Sequence, residues 1–229
     1  MAFLSFKFRN TDRTMPMLNQ PDIAHSAEAW SARHLCQAGQ KSFQQLASLV
    51  EQVQGVTRGA EEVVQRRGKA DLSTRMAPDA WSVAECFDHL AQTTSAYLPA
   101  ISDALATAPN LTTNRPLRTG ALARLFILNL EPPYAFRLNV LPQLKPQHQD
   151  FDAAWGGFLE SQAQLTGTIY SAAGLAIDKV RIESPVYARI SYNVYGAFRM
   201  LAAHERRHLW QVKQVLRALD RRQSLRTAS

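Results

Sequence analysis

His204 and His208 stand four residues apart in the stretch His204-Glu205-Arg206-Arg207-His208-Leu209-Trp210-Gln211. In a helix this spacing sends both imidazoles out of one face, one turn apart, which is a metal-chelating geometry. The surrounding pattern is helical: Val194, Ala197, Leu201, His204, His208, Gln211, Val215 and Ala218 advance in steps of three and four, the rhythm of a helix packed on other helices. Each polar group on such a seam costs roughly 1–3 kcal/mol if it is buried without a partner. A lone histidine on an apolar face is most often a hydrogen-bonded core residue, but a pair at this spacing among apolar residues points to a bound divalent cation. Two imidazoles do not complete a catalytic zinc-type site, which takes three protein ligands and keeps a position open.

The same residues also match H-E-x-x-H, in which the glutamate, here Glu205, serves a zinc protease as general base. The extended form of that motif places a glycine three residues after the second histidine and a third histidine six residues after it. Here those places hold Gln211 and Gln214, and no glutamate or histidine follows His208. Asp220 lies more than three helical turns on, out of reach of the same ion. The third ligand is therefore expected upstream, which argues against a zinc protease.

A chain of 229 residues, 46% of them apolar, can bury a substantial core, and its length suits one domain with extensions. Cys36 and Cys86 form neither a disulfide framework nor a C-x-x-C motif, as expected in a reducing compartment. No apolar run is long enough to span a bilayer. The opening Met1 to Arg9 is too broken and too basic for a signal peptide. The expected setting is soluble and cytoplasmic. The net charge is +7, much of it between Arg199 and Ser229. That basic end is read as a solvated helix face, because the aromatic interleaving of a nucleic-acid surface is missing.

The elements that must position the histidines follow from periodicity. Residues 1–24 read as an arm interrupted by Pro16 and Pro21, and 25–39 as a short helix. A long helix is predicted from Lys41 to Arg67 on the stripe Phe43, Leu46, Val50, Val53, Ala60, Val63 and Val64, with Gly55 and Gly59 inviting a kink. Ser82 and Glu85 are spaced as a capping box, starting a helix whose stripe is Val83, Phe87, Leu90, Tyr97 and Ile101. His89 lies at the edge of that stripe, beside Cys86 and Thr93. Residues 109–149 hold six of the eleven prolines and read as a crossover with one short helix over 120–130, able to form a lid. Phe151, Trp155, Phe158, Gln162, Leu165 and Ile169 mark a third long helix, capped by Gly174. Residues 175–185 read as an extended connection, and the last helix as running from about Tyr192 to Arg222. The fold class is all-α: a four-helix bundle over 40–222 with a long crossover connection, an N-terminal extension over 1–39 and a tail over 223–229.

Trp81-Ser82-Val83-Ala84-Glu85-Cys86-Phe87-Asp88-His89-Leu90, followed far downstream by His204-x-x-x-His208-x-x-Gln211, resembles the DinB-like (YfiT/DinB) superfamily. The resemblance covers roughly residues 40–222. It implies a four-helix bundle in which a histidine of the second helix joins an H-x-x-x-H pair of the last to bind a divalent metal, with His89, His204 and His208 as the ligands. Zinc or nickel suits imidazole. It also implies chemistry with a low-molecular-weight thiol such as mycothiol or bacillithiol. A three-histidine site with an open position can lower the pKa of a bound thiol or water and present it as a nucleophile.

The leading expectation is transfer of a metal-activated thiol to a small electrophile. Metal-dependent hydrolysis and a non-enzymatic metal-binding or stress-response role are the alternatives. Glu85, Gln211 and Arg207 are the candidate catalytic residues: Glu85 as general base, although capping explains it; Gln211 as a hydrogen-bond partner of the ligand helix; Arg207 as a holder of a substrate carboxylate. Glu205 and Arg207 otherwise read as surface or interhelical charges, Cys86 as a small buried residue, and His25, His34 and His148 as surface residues. The expected partner is a small molecule, with a homodimer left open, and not a membrane or nucleic acid.

Overall fold

The protein is described by a computed structural model over residues 39–132, 134, 140–187 and 189–227. The expected arm, nearly all of the short helix over 25–39, and with them His25, His34 and Cys36, lie outside the described residues. The elements in chain order are α1 (Gln40–Val64), short α2 (Lys69–Ser73), α3 (Val83–Ala106), short α4 (Ala121–Leu130), a single 3₁₀ turn (Pro142–Leu144), α5 (Phe151–Ser171), β1 (Arg181–Glu183), β2 (Ser191–Asn193) and α6 (Val194–Thr227). The chain is thus mostly helical.

Local chemistry explains most boundaries. The Ser82 hydroxyl accepts from the Glu85 amide at 3.2 Å while the Glu85 carboxylate accepts from the Ser82 amide at 2.9 Å, closing the capping box that starts α3. Asp150 caps α5 by accepting from the Ala153 amide. Asn193 does the same for α6 through the Gly196 amide at 2.8 Å. Gly174 takes φ 79° just beyond α5, where a left-handed residue ends a helix cheaply. α6 continues past Arg222 to Thr227, because no glycine or proline follows Gly196 in the sequence. α1 is continuously helical through Gly55 and Gly59.

The stretch read as an extended connection contains β1, which pairs with β2 as an antiparallel hairpin, Ile182 opposite Tyr192 with both side chains buried. Three-residue strands are too short for a period-two pattern to announce them.

α1 and α3 each pack on both α5 and α6. His89 meets His204 and Tyr97 meets Tyr192, so α3 runs antiparallel to α6. α3 and α5 run parallel: Phe87 contacts Phe158 near their beginnings, while Ile101 and Ile169 share a cluster near their ends. Parallel neighbours cannot be joined by a tight turn, which is why residues 107–150 form a long crossover.

The apolar core is divided. One cluster gathers Leu46 to Val53, Tyr97 to Ala104, Leu165, Ile169 and Val194 to Ala203; the other gathers Val56, Ala60, Val83 to Leu90, Phe151 to Phe158 and Val212 to Leu219. Between them in sequence lie buried Thr93 and Thr94 of α3, Ser161 and Gln162 of α5, and Glu205 and His208 of α6. The histidines therefore belong to a polar layer across the helices.

α4 lies on α6 at a close approach permitted by Gly196. A Cβ there would stand 2.7 Å from the Ala123 Cβ and 2.8 Å from Asn193 Oδ1, neither able to swing away without moving backbone or breaking the cap. Gly196→Ala is expected to destabilise the protein by about 1–3 kcal/mol, as overpacking does. A thermal melt should show a midpoint several degrees lower; an unchanged midpoint would mean that α4 yields freely.

Candidate metal centre

α3 and α6 bring three imidazoles together. The potential ligand atoms of His89, His204 and His208 all lie within 4.8 Å of one another. His89 Nε2 is 3.2 Å from His204 Nε2, close to the roughly 3.3 Å between two nitrogens bound about 2.05 Å from one tetrahedral zinc. His89 Nδ1 donates to the Leu144 carbonyl at 2.7 Å, leaving Nε2 unprotonated in the neutral ring and turned to the other histidines. His208 Nδ1 is buried with no hydrogen-bond partner among the described residues. Three histidines packed this closely with an orphaned nitrogen fit a divalent cation.

Electrostatics favour the ligand form. Burial lowers the pKa of His89, against weaker opposing effects of the Leu144 carbonyl and Asp88. His204 is lowered to about 3 by burial, then by His89 and Arg207. His208 is held well below its ordinary value by burial, by the other two histidines and by Arg207, with the Gln211 side chain acting the other way. All three rings are neutral at pH 7, as metal binding requires.

Trp81 walls the cluster. Its ring lies 4.9 Å from that of His89 and stacks on His208 at 5.9 Å and 17°. His204 is the one ligand candidate that is partly exposed. Arg207 is half-buried one turn past it, donates to the Asn129 carbonyl at 3.1 Å and lies 5.1 Å from the Tyr134 ring, which in turn contacts Trp210. A surface cleft of about 570 Å³ lined by Lys41, Gln45, Gln52, Tyr195 and Arg199 shares no residue with this cluster and opens on a different face of α6.

Of the other candidates, Gln211 adjoins His208, whereas the Glu85 carboxylate is engaged elsewhere. Both Glu85 oxygens face Arg75, with Nε at 2.8 Å, and one also accepts from Ser82. Burial works to raise the Glu85 pKa, but Arg75 and Ser82 outweigh it and hold it low. Cys86 is fully buried, and burial pushes its thiol far up, so it is not a nucleophile. His148 is exposed.

Glu205 is not a surface charge. It is fully buried and reaches across to α5, where Gln162 Nε2 donates to its Oε1 at 2.9 Å; Gln162 Oε1 in turn accepts from Thr57 of α1. Its other oxygen has no partner among the described residues, and burial pushes its pKa up to about 8. Two further residues escaped sequence reasoning as parts of the site: Trp81, noticed only in a motif, and Leu144, whose contribution is a backbone carbonyl and leaves no sequence signal.

Among the described residues no helix is long and apolar enough to cross a membrane. No curated protein and no solved structure matches the chain significantly. The model of the DinB superfamily matches residues 52–212, from the middle of α1 to just past the paired histidines. A match over that span, enclosing all three imidazoles, makes this chain a member of the DinB superfamily.

Proposed function

We propose that this protein is a cytoplasmic metal-dependent enzyme, with residues 40–222 as its four-helix-bundle domain, that transfers a low-molecular-weight thiol to a small electrophile. The observation that carries the reading is the convergence of three neutral imidazoles around one partly exposed member. His89, His204 and His208 would hold the cation, with zinc or nickel the best suited to an all-imidazole set. A bound divalent cation supplies the Lewis acidity that lowers the pKa of a coordinated thiol or water.

The chain's own residues do the rest. Leu144 fixes the His89 tautomer, Gln211 adjoins His208, and Trp81 excludes water from one side of the cluster. Arg207, oriented by Asn129 and Tyr134, is placed to receive a carboxylate of the thiol. Hydrolysis assisted by a carboxylate base is the weaker reading, because both candidate carboxylates are engaged. Glu85 is held by Arg75 and Ser82, and Glu205 is bonded to Gln162.

Metal-loaded protein incubated with a panel of low-molecular-weight thiols and a fluorogenic alkylating electrophile tests the assignment. Turnover that needs the thiol and disappears in His89→Ala is the expected result. Turnover without thiol would favour hydrolysis. Metal binding with neither activity across the panel would favour a binding or structural role.

A further inference from the structure

α3 grips the crossover with two consecutive side chains. Asp88 is buried, and its Oδ2 accepts from the backbone amides of Gln147 at 2.6 Å and His148 at 3.1 Å, as well as from the Gln92 side chain. His89, the next residue, donates from Nδ1 to the Leu144 carbonyl at 2.7 Å. Neighbouring helix residues project about 100° apart. Asp88 can therefore face the crossover while His89 faces the imidazoles of α6 and touches the crossover only through its rear nitrogen. One five-residue stretch, 144–148, is thus held at one end by a candidate ligand and at the other by that ligand's neighbour.

Leu144 closes the 3₁₀ turn and its side chain is buried, but a carbonyl at the end of a proline-rich connection has no helix or sheet ladder to hold it in place. The two amide bonds to Asp88 supply that restraint three and four residues later. We propose that Asp88 is a positioning residue for the metal centre: it docks residues 144–148 so that the Leu144 carbonyl orients His89, which couples cation binding to docking of the crossover. This rests on the reading that His89, His204 and His208 hold a divalent cation. Coupling is reciprocal, so whatever factor docking contributes to cation affinity, the cation returns to docking.

The test is a cobalt(II) titration of metal-depleted full-length protein as wild type, Asp88→Ala and Asp150→Ala, with amide hydrogen exchange followed at Gln147 and His148. Alanine at 88 removes the acceptor of both amides, which asparagine would keep. Asp150, two residues past the docked stretch, caps α5 through the Ala153 amide, so its variant controls for loss of local stability with the two amide bonds left in place. Asp88→Ala is expected to bind cobalt(II) about 10–100-fold more weakly, the range typical when a ligand's supporting hydrogen bond is lost, while Asp150→Ala stays within about twofold of wild type. In the wild type, cobalt(II) should slow exchange of both amides, a measurement that decides the matter even where Asp88→Ala does not fold. Equal affinity in Asp88→Ala and wild type, or exchange at these amides that ignores the cation, overturns the coupling alone. A wild type that binds no cobalt(II) overturns the coupling together with the metal reading.

Discussion

Purified protein is expected to carry about one equivalent of divalent cation, and His204→Ala or His208→Ala to weaken its binding by about 100-fold or more, beyond the cost of losing a supporting residue. The expectation follows from the ligand count. Three neutral imidazoles within 4.8 Å can hold a cation with one position open, and removal of either α6 histidine leaves two. Elemental analysis of wild type and both variants, with helix content followed by circular dichroism, is the measurement. Equal metal content in all three proteins would falsify the site. The variants should keep their fold when metal-free, because an unpartnered His208 nitrogen in the polar layer stabilises nothing by itself. Loss of metal with retained helix therefore separates ligand removal from misfolding.

His204, His208 and the Ser82–Glu85 box were legible in the sequence because their spacings are local patterns, whereas His89 was reached only through the family resemblance of the stretch that follows Trp81. The centre of the α6 core stripe was not. The heptad reading placed Gln211, Val215 and Ala218 on the seam, whereas Val212, Leu216 and Leu219 are the buried residues there. A straight helix drifts about 20° per heptad from a 3.5-residue repeat, so by Val215, two heptads past Leu201, the seam has turned by about 40° toward the next residue along. Glu205 lies inside the core and His204 at its edge. Gln162 stood visibly among the apolar residues of α5, but no local rule pairs it with a glutamate on another helix. The anchoring of the crossover by Asp88 was hidden for a similar reason, since its partners are backbone amides about sixty residues away, in a stretch with no periodicity. The exposed Leu122, Leu125 and Leu128 of α4 show the converse limit: apolar composition alone did not tell which face of that helix would be covered.

Glu205→Gln is expected to stabilise the metal-free protein by an amount that grows with pH. In the folded chain burial raises the carboxyl pKa to about 8, while in the unfolded chain it lies near the ordinary carboxylate value of about 4.3. Below the unfolded value both states hold the proton, and glutamate and glutamine should be nearly equivalent. Between the two values the folded state keeps a proton that the unfolded state releases, so stability falls as pH rises, by up to about 1.4 kcal/mol per unit. Above the folded value the penalty is complete and constant. Glutamine has no proton to lose and can still accept from Gln162. The buried histidines impose the opposite slope, since rings kept neutral in the fold are protonated in the unfolded chain below about pH 6.5; that slope is common to both proteins and cancels in their difference. Thermal melts with chelator from pH 4 to 9 should therefore show a midpoint difference near zero at pH 4, already opening at pH 5 and widening by several degrees to about pH 8, then level. A difference independent of pH would mean that Glu205 is ionised in the core. The widening difference would show that the glutamate of this H-E-x-x-H is a neutral core group bonded to Gln162, which is unlike the ionised base a zinc protease needs.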